Sequence, residues 1–257
     1  EVYAVKETVS EFANREYKAL RELTHLGAPS VAPIAVIEGR TDESGEELPC
    51  ALVTRFLPYS LPYRVLLSGK DVTANDITMM ANALALLLVQ LHLLGFWWGD
   101  CSLSNTLFRR DAEAFAAYLV DAETGHLYDS GLSNGQREND LEIARVNIAG
   151  ELMDLIASGN AQPGVDALAT SERIVAKYRE LWDALTGWPA PPDACLVNLY
   201  RGDARMGLHQ DRDEADVSAP VLSLSLGDTA VFRFGAPEGG STRSVRLASG
   251  DVCALTG

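Results

Sequence analysis

The sequence predicts an α+β fold class, in which a mainly helical region with a few strands is followed by a short all-β region. Apolar residues recur at helical spacing in four segments before residue 187. A proline-rich connector, Trp188-Pro-Ala-Pro-Pro, comes next, and beyond it short strand-like runs alternate with Gly, Asp and Pro turns. We therefore expect two domains, at residues 1–187 and 188–257.

The composition fits globular domains and excludes one mode of nucleic-acid binding. Hydrophobic residues make up 47% and charged residues 22% of the 257 residues, which is enough to form a core. The net charge of −15 excludes a broad basic surface for nucleic acid, although a local pocket remains compatible with it. The four cysteines form no CxxC pair, so we expect reduced thiols in a cytoplasmic protein.

Helical periodicity and strand-like runs alternate in the first region. Helices are predicted at Ser10–Leu26, with Ser10 as N-cap, Asn75–Leu94, Asp140–Ser158 and Ser171–Leu185. Strands are predicted at Glu1–Glu7, Val31–Glu38, Leu48–Phe56, before Arg109, and at Ala116–Val120. The apolar stretch Ala81–Trp98 contains polar residues and lacks basic flanks, so we interpret it as buried rather than as a membrane span.

Short strands dominate the second region. They are predicted at Leu196–Tyr200, Val221–Leu226, Ala230–Phe234, Ser244–Leu247 and Val252–Leu255. Such strands separated by turn residues are typical of a sandwich or jelly roll.

Charged and amide side chains in the first region follow the order that phosphoryl transfer from ATP requires. Lys6 ends a strand, where a lysine can neutralise the α and β phosphates, and Glu16 on the next helix is placed to pair with it. Asp100 and Asn105 have the spacing of a loop in which the aspartate orients the attacking hydroxyl and the asparagine holds a metal ion. Asp121 follows the next strand, at the position of a second metal ligand.

Four segments carry a resemblance to a known family: residues 11–26, Leu91–Arg110, Leu119–Gly125 and Leu141–Asp154. Over roughly residues 1–186 the chain resembles an uncharacterised bacterial lipopolysaccharide-kinase-like family of the protein-kinase-like superfamily. The resemblance implies a kinase-like domain with a clipped N-lobe and a helical C-lobe. It implies a Mg-ATP site made of Lys6, Glu16, Arg55, Phe56, Asp100, Asn105 and Asp121.

Within that implied site Asp100 is the catalytic base, Asn105 and Asp121 hold magnesium, and Arg55 and Phe56 lie in the hinge that meets adenine. The phosphate acceptor, a small molecule or a protein, is not implied. Trp98 stands where the family usually has a histidine of mainly architectural role. The glycine-rich hairpin expected before the lysine strand does not precede Glu1, so we interpret the domain as lacking its phosphate lid.

His209-Gln210-Asp211 is an HxD motif in the second region. Alternate residues of a strand share one side, so both side chains can face a single metal ion. Non-haem Fe(II) oxygenases use two histidines and one carboxylate in this way.

The surroundings of this motif resemble AlkB, a 2-oxoglutarate-dependent enzyme that oxidatively removes alkyl groups from nucleobases. The matching segments are Cys195–Tyr200, Asp211–Asp216, Ala219–Gly235 and Leu247–Val252. The resemblance spans about residues 188–257 and implies a partial jelly roll, a fragment of a double-stranded β-helix. It implies Fe(II) bound by His209 and Asp211, 2-oxoglutarate bound by Asn198 and Tyr200, and Asp213 in contact with the target base of an alkylated nucleic acid.

The third iron ligand of that family is a histidine further along the chain. The other histidines here are His25, His92 and His126, and none follows His209. The arginines that bind 2-oxoglutarate would also lie beyond Gly257, and a kinase-like segment stands where the nucleotide-recognition lid is expected. We therefore expect an incomplete dioxygenase segment, and we interpret both ends of the chain as cut.

Three hypotheses for function remain open. The first is an ATP-dependent phosphotransferase of unknown acceptor, fused to an incomplete AlkB-like segment. The second is an AlkB-type enzyme that repairs alkylated nucleic acid. The third is an inactive pseudokinase or a chimeric reading frame whose halves did not evolve together.

Overall fold

In the computed structural model, a small antiparallel sheet and one helix form the start of the chain. The structure describes residues 2–69, 72–111, 114–187, 196–209, 221–225, 227–236, 240–248 and 251–255. The chain divides into two units, Glu1–Leu181 and Trp182–Gly257. Each is described by itself below.

Strands β1 (Tyr3–Thr8), β2 (Pro33–Ile37) and β3 (Cys50–Arg55) form this sheet in the order β1-β3-β2. Helix α1 (Ser10–His25) packs on β2 and β3. Its buried residues are Ala13, Glu16, Leu20 and Leu23. These positions form one stripe at helical spacing, which packs against the sheet. Glu16 lies in this stripe, so its carboxylate is buried together with the apolar side chains.

The predicted N-cap of α1 was wrong by one residue. Val9 occupies the N-cap position without a side-chain hydrogen bond, and Ser10 is the first helical residue. The Ser10 hydroxyl instead donates to the carboxylate of Glu38, so a contact with the strand end after β2 replaces the expected cap.

Helix α3 (Ala74–Leu93) forms the core of the first unit and packs against strand β7 (Ala114–Leu119). Thr73 and Asp76 close a capping box at its start. Within the described part of the chain, α3 alone is long and apolar enough to cross a membrane by length and composition, and 61% of its apolar window is buried inside the fold. A buried core helix passes the same test.

Short strands hold the two loops that carry the candidate residues. Strands β4 (Ser60–Pro62), β6 (Thr106–Asp111) and β7 form a sheet in the order β4-β6-β7, with helix α2 (Tyr63–Ser68) directly after β4. Strand β5 (Phe96–Trp97) pairs with β8 (His126–Leu127). Because β6 pairs with β7 and β5 pairs with β8, the β5–β6 and β7–β8 loops lie side by side.

Helices α4 (Asn134–Ala157) and α5 (Ala167–Thr186) both begin earlier than predicted. Ser133 and Gln136 form a capping box before α4, and this S-x-x-Q signal stands in the sequence. Asp166 accepts the backbone N–H of Ala169 at 2.9 Å at the start of α5. In both cases the capping side chain, rather than the first apolar residue, fixes the start.

The described strands of the second unit form two antiparallel pairs. Strand β9 (Val221–Leu224) pairs with β12 (Val252–Leu255), and β10 (Ala230–Phe234) pairs with β11 (Arg243–Leu247). The predicted strand at Leu196–Tyr200 was wrong, because this segment has no regular structure and leaves Leu196 83% exposed. Strand propensity depends on a pairing partner and a buried face, and the described residues supply neither here. The jelly roll stays a prediction.

Truncation of the core helix tests this arrangement. We expect Leu88→Ala, at a side chain with no exposed surface, to lower the free energy of unfolding of the first unit by about 2–5 kcal/mol, since it leaves a cavity. Leu86→Ala, on the same helix but 42% exposed, is the matched control and should cost much less. Denaturant unfolding followed by circular dichroism measures both, and equal losses would contradict the assigned face of α3.

Candidate functional site

The loop after β5 is anchored by one buried carboxylate on helix α4. Asp140 is fully buried, and its Oδ2 accepts the backbone N–H of Trp98 at 2.9 Å while its Oδ1 accepts that of Gly99 at 2.8 Å. Nε2 of His92 lies 2.9 Å from Oδ2, and Nδ1 of His92 lies 2.7 Å from the Tyr178 hydroxyl. A buried charge is costly unless it is hydrogen-bonded, and these donors satisfy it.

Gly99 allows the sharp backbone turn at the start of the loop. Its φ is +73°, in the region that favours glycine, and a Cβ there would stand 2.5 Å from the Trp97 ring. The turn therefore needs a glycine directly before Asp100.

Asp100 has each carboxylate oxygen held by a different amide. Oδ2 accepts from Asn105 Nδ2 at 2.9 Å, and Oδ1 accepts from Asn147 Nδ2 at 3.0 Å. Burial raises the pKa of Asp100 above its usual value, and the charges of Asp121 and Glu123 raise it further, whereas the two amide hydrogen bonds lower it. The carboxylate is therefore both oriented and partly desolvated.

Lys6 lies at the centre of three carboxylates. Its Nζ is 2.5 Å from Asp121 Oδ2, 2.9 Å from Glu16 Oε2 and 3.1 Å from Glu123 Oε2. Burial alone lowers the pKa of Lys6, but the hydrogen bonds and charges of Asp121 and Glu16 raise it above its usual value. Lys6 is consequently held as a cation.

Glu16 is the buried member of this cluster, with a side chain 1% exposed. Its pKa is raised by burial and by the charge of Asp121, while the hydrogen bond from Lys6 lowers it. Its second oxygen faces the backbone N–H of Ala122 at 3.4 Å. Helix α1 thus fixes both Lys6 and the segment after Asp121.

Trp98 links the two loops. Its indole Nε1 donates to the backbone carbonyl of Asp121 at 2.8 Å, and its own carbonyl accepts from the Thr124 hydroxyl at 2.9 Å. The backbone N–H of Val120 also donates to the carbonyl of Asn105 at 3.0 Å. Trp98, which replaces the usual histidine, therefore has an architectural role, and the Asp100–Asn105 pair lies beside Asp121.

The structure adds a carboxylate that sequence reasoning missed. Side-chain oxygens of Glu16, Asp121 and Glu123 lie within 4.8 Å of one another, a spacing that can hold a metal ion. The Asp-Ala-Glu spacing from Asp121 to Glu123 was the available signal. Three oxygen ligands suit Mg²⁺, which prefers carboxylate and water.

Helix α4 supplies three further residues that sequence reasoning missed: Asp140, Asn147 and Glu151. Both carboxylate oxygens of Glu151 accept backbone N–H groups of the loop, from Leu103 at 2.6 Å and Ser104 at 3.0 Å. The three residues recur on one narrow face of the helix, which was the signal that could have found them.

The predicted hinge residues lie at the end of β3. Arg55 is the last residue of the strand, and its backbone N–H donates to the carbonyl of Ala32 at 2.8 Å. Phe56 follows with 47% of its surface exposed. Their contact with adenine stays a prediction.

Three of the predicted oxygenase residues, Asn198, Tyr200 and His209, are exposed. The Tyr200 hydroxyl is 3.8 Å from Met206 Sδ, and His209 Nδ1 is 2.9 Å from the carbonyl of Gly207. Asp211 and Asp213 lie outside the described residues, so the geometry of an iron site is not described.

A comparison with protein families decides the affiliation of the first unit. The model of the "Lipopolysaccharide kinase (Kdo/WaaP) family" matches residues 3–146, which is more than half of the chain. The chain belongs to this family. The predicted resemblance of the first region is confirmed. The matched range of this lipopolysaccharide kinase family member spans the positions of the predicted Mg-ATP residues, whose roles stay predictions.

The second part of this family member is similar to a different class of enzyme. The "2OG-Fe(II) oxygenase superfamily" model matches residues 135–257. An AlkB homolog of Caulobacter vibrioides, an alpha-ketoglutarate-dependent dioxygenase, is 67% identical over 79 residues, which is 30% of this chain and 36% of that protein. AlkB of Escherichia coli is 57% identical over 44 residues, 17% of this chain and 20% of that protein.

A more distant relative is the nucleic acid dioxygenase ALKBH1 of Mus musculus, 36% identical over 66 residues, which cover 25% of this chain and 17% of that protein. The chain thus spans about a third of the length of the Caulobacter relative and less of the others. The predicted combination of a kinase-like domain with a partial AlkB-like domain is confirmed.

Among solved structures, "WaaP in complex with acyl carrier protein" aligns with a TM-score of 0.48 at 18% sequence identity, covering 70% of this chain and 72% of that chain.

The anchoring role of Asp140 predicts a large loss of stability on its removal. We expect Asp140→Ala to lower the free energy of unfolding of the first unit by about 3–5 kcal/mol, because it leaves His92 and two backbone N–H groups without their buried acceptor. Glu142→Ala, at an exposed carboxylate on the same helix, should change it by no more than about 0.5 kcal/mol. Denaturant titration measures both, and a small loss for Asp140→Ala would contradict the anchor.

Proposed function

We propose that the first unit transfers the γ-phosphoryl group of ATP to a hydroxyl acceptor. The observation that carries the proposal is the cluster of Lys6, Glu16 and Asp121 beside the Asp100–Asn105 pair. These are the groups that phosphoryl transfer needs for charge neutralisation, metal binding and orientation of the attacking hydroxyl.

The charge balance of the cluster supports a divalent cation. One ammonium, on Lys6, faces three carboxylates, on Glu16, Asp121 and Glu123, which leaves a surplus of negative charge in a partly buried place. Asp121 and Asn105 would hold a magnesium ion, which would neutralise charge on the phosphates and on the leaving group. Lys6 would contact the α and β phosphates.

Asp100 is the proposed base. The acceptor oxygen attacks the γ phosphorus, the bond from that phosphorus to the bridging oxygen breaks, and ADP leaves with the electron pair. The hydroxyl proton passes to the carboxylate of Asp100. Each oxygen of the Asp100 carboxylate accepts one hydrogen bond from an amide, Oδ2 from Asn105 and Oδ1 from Asn147. Each oxygen keeps a second lone pair, which can accept the proton of the attacking hydroxyl.

The second candidate function is that of an AlkB-type dioxygenase acting on alkylated nucleic acid. The 67% identity over 79 residues to the Caulobacter homolog favours it. Residues 188–257 do not supply a complete iron site by themselves, since His209 and Asp211 give two of three ligands and residues 212–257 contain no histidine. We propose that this segment, with a partial jelly roll, supplies those two ligands, that Asn198 and Tyr200 contact 2-oxoglutarate, and that Asp213 contacts the base.

Nucleotide binding tests the first proposal. Millimolar Mg-ATP should raise the melting temperature of the chain, because a ligand at about 100 times its Kd stabilises a fold by about 2.7 kcal/mol. Asp121→Ala should abolish most of this shift, whereas Asp129→Ala, at an exposed aspartate, should keep it. A melting curve that Mg-ATP leaves unmoved would overturn the proposal, and binding without turnover would favour the pseudokinase hypothesis.

Metal binding tests the second proposal. Anaerobic titration with Fe(II) in the presence of 2-oxoglutarate should show weak binding that His209→Ala weakens at least about tenfold, since even the loss of a ligand's hydrogen-bond partner costs roughly 10–100-fold. His126→Ala is the matched control and should leave the affinity unchanged. A weaker Fe(II) affinity in His126→Ala, or an unchanged Fe(II) affinity in His209→Ala, would refute this ligand assignment.

A further inference from the structure

Helix α4 holds the loop from Trp98 to Asn105 through three polar side chains on one face: Asp140, Asn147 and Glu151. Asp140 and Glu151 accept backbone N–H groups at the two ends of the loop. They therefore fix the path of the main chain. Asn147 lies between them and makes a different kind of contact.

Asn147 reaches the carboxylate of Asp100 itself. Its Nδ2 donates to Oδ1 of Asp100 at 3.0 Å and approaches the carbonyl of Cys101 at 3.3 Å. Asn105 donates to the other oxygen, Oδ2, at 2.9 Å. With one amide on each oxygen, the plane of the Asp100 carboxylate is fixed, although the terminal torsion of an aspartate is otherwise broad.

We propose that Asn147 is a positioning residue for phosphoryl transfer, which holds the Asp100 carboxylate in the orientation that accepts the proton of the attacking hydroxyl. The inference rests on the proposed function of the first unit. A general base acts only within hydrogen-bond reach of that proton, so a freely turning carboxylate spends less time in the productive geometry.

The position of Asn147 separates this role from a structural one. Asp140 and Glu151 continue to anchor the loop backbone when the amide of Asn147 is removed. Lys6, Glu16 and Asp121 form their own cluster, and the hydrogen bonds of Asn147 go to Asp100 and Cys101. Loss of Asn147 should therefore affect turnover and leave nucleotide binding in place.

The test compares Asn147→Leu with Asn139→Leu, the same change at an exposed position on another face of α4. Hydrolysis of radiolabelled Mg-ATP by the full chain, with water as acceptor, is the assay. We expect Asn147→Leu to lower kcat about tenfold or more, because the loss of one hydrogen bond to a charged group raises the activation free energy by an amount that corresponds to that factor. The KM for ATP and the melting shift on Mg-ATP should stay within about twofold of the unaltered chain, and Asn139→Leu should change neither.

A double-variant comparison makes the result specific to Asp100. In an Asp100→Ala background, Asn147→Leu should cause no further loss of kcat, because two residues that act as one unit are not additive. An equal loss in both backgrounds, an unchanged kcat, or a fall in kcat that accompanies a lost Mg-ATP melting shift would overturn the inference. If the unaltered chain neither binds nor hydrolyses Mg-ATP, the proposed function itself fails and the inference fails with it.

Discussion

Asp140 ties helix α4 to the loop that carries Asp100, and the remaining site depends on that attachment. Its buried carboxylate accepts two consecutive backbone N–H groups, from Trp98 and Gly99, and lies against His92. Trp98, held in this way, reaches with its indole to the carbonyl of Asp121. One buried charge on α4 thus positions both the loop with the candidate base and the segment with the candidate metal ligand.

The charged cluster around Lys6 follows from that scaffold. Helix α1 buries Glu16 through its apolar stripe, and strand β1 places Lys6 opposite it. Asp121 and Glu123 arrive from the β7–β8 loop, so groups far apart in the chain meet in one partly buried place. Bringing three carboxylates together is unfavourable unless cations balance them, and this is the electrostatic reason for the proposed divalent cation at the site.

The second unit is similar in sequence to AlkB relatives, but its described residues do not form an iron site. Its identity to AlkB relatives is high over short stretches, and the resemblance predicts roles for residues such as His209 and Tyr200. In the structure these two side chains are exposed, and the described strands form two separate pairs. A facial triad needs three ligands around one point, which a motif of two ligands cannot supply alone.

The sequence by itself determined that a kinase-like part precedes a partial AlkB-like part, most helix positions and the order of Lys6, Glu16, Asp100, Asn105 and Asp121, because periodicity and motif spacing are local properties of the chain. It missed the starts of α4 and α5, although their capping side chains were present. It also missed Glu123, Asp140, Asn147 and Glu151. Only the tertiary structure decided their contacts, since a carboxylate or amide acquires its partners from the segments that pack against it, and those contacts join residues distant in sequence.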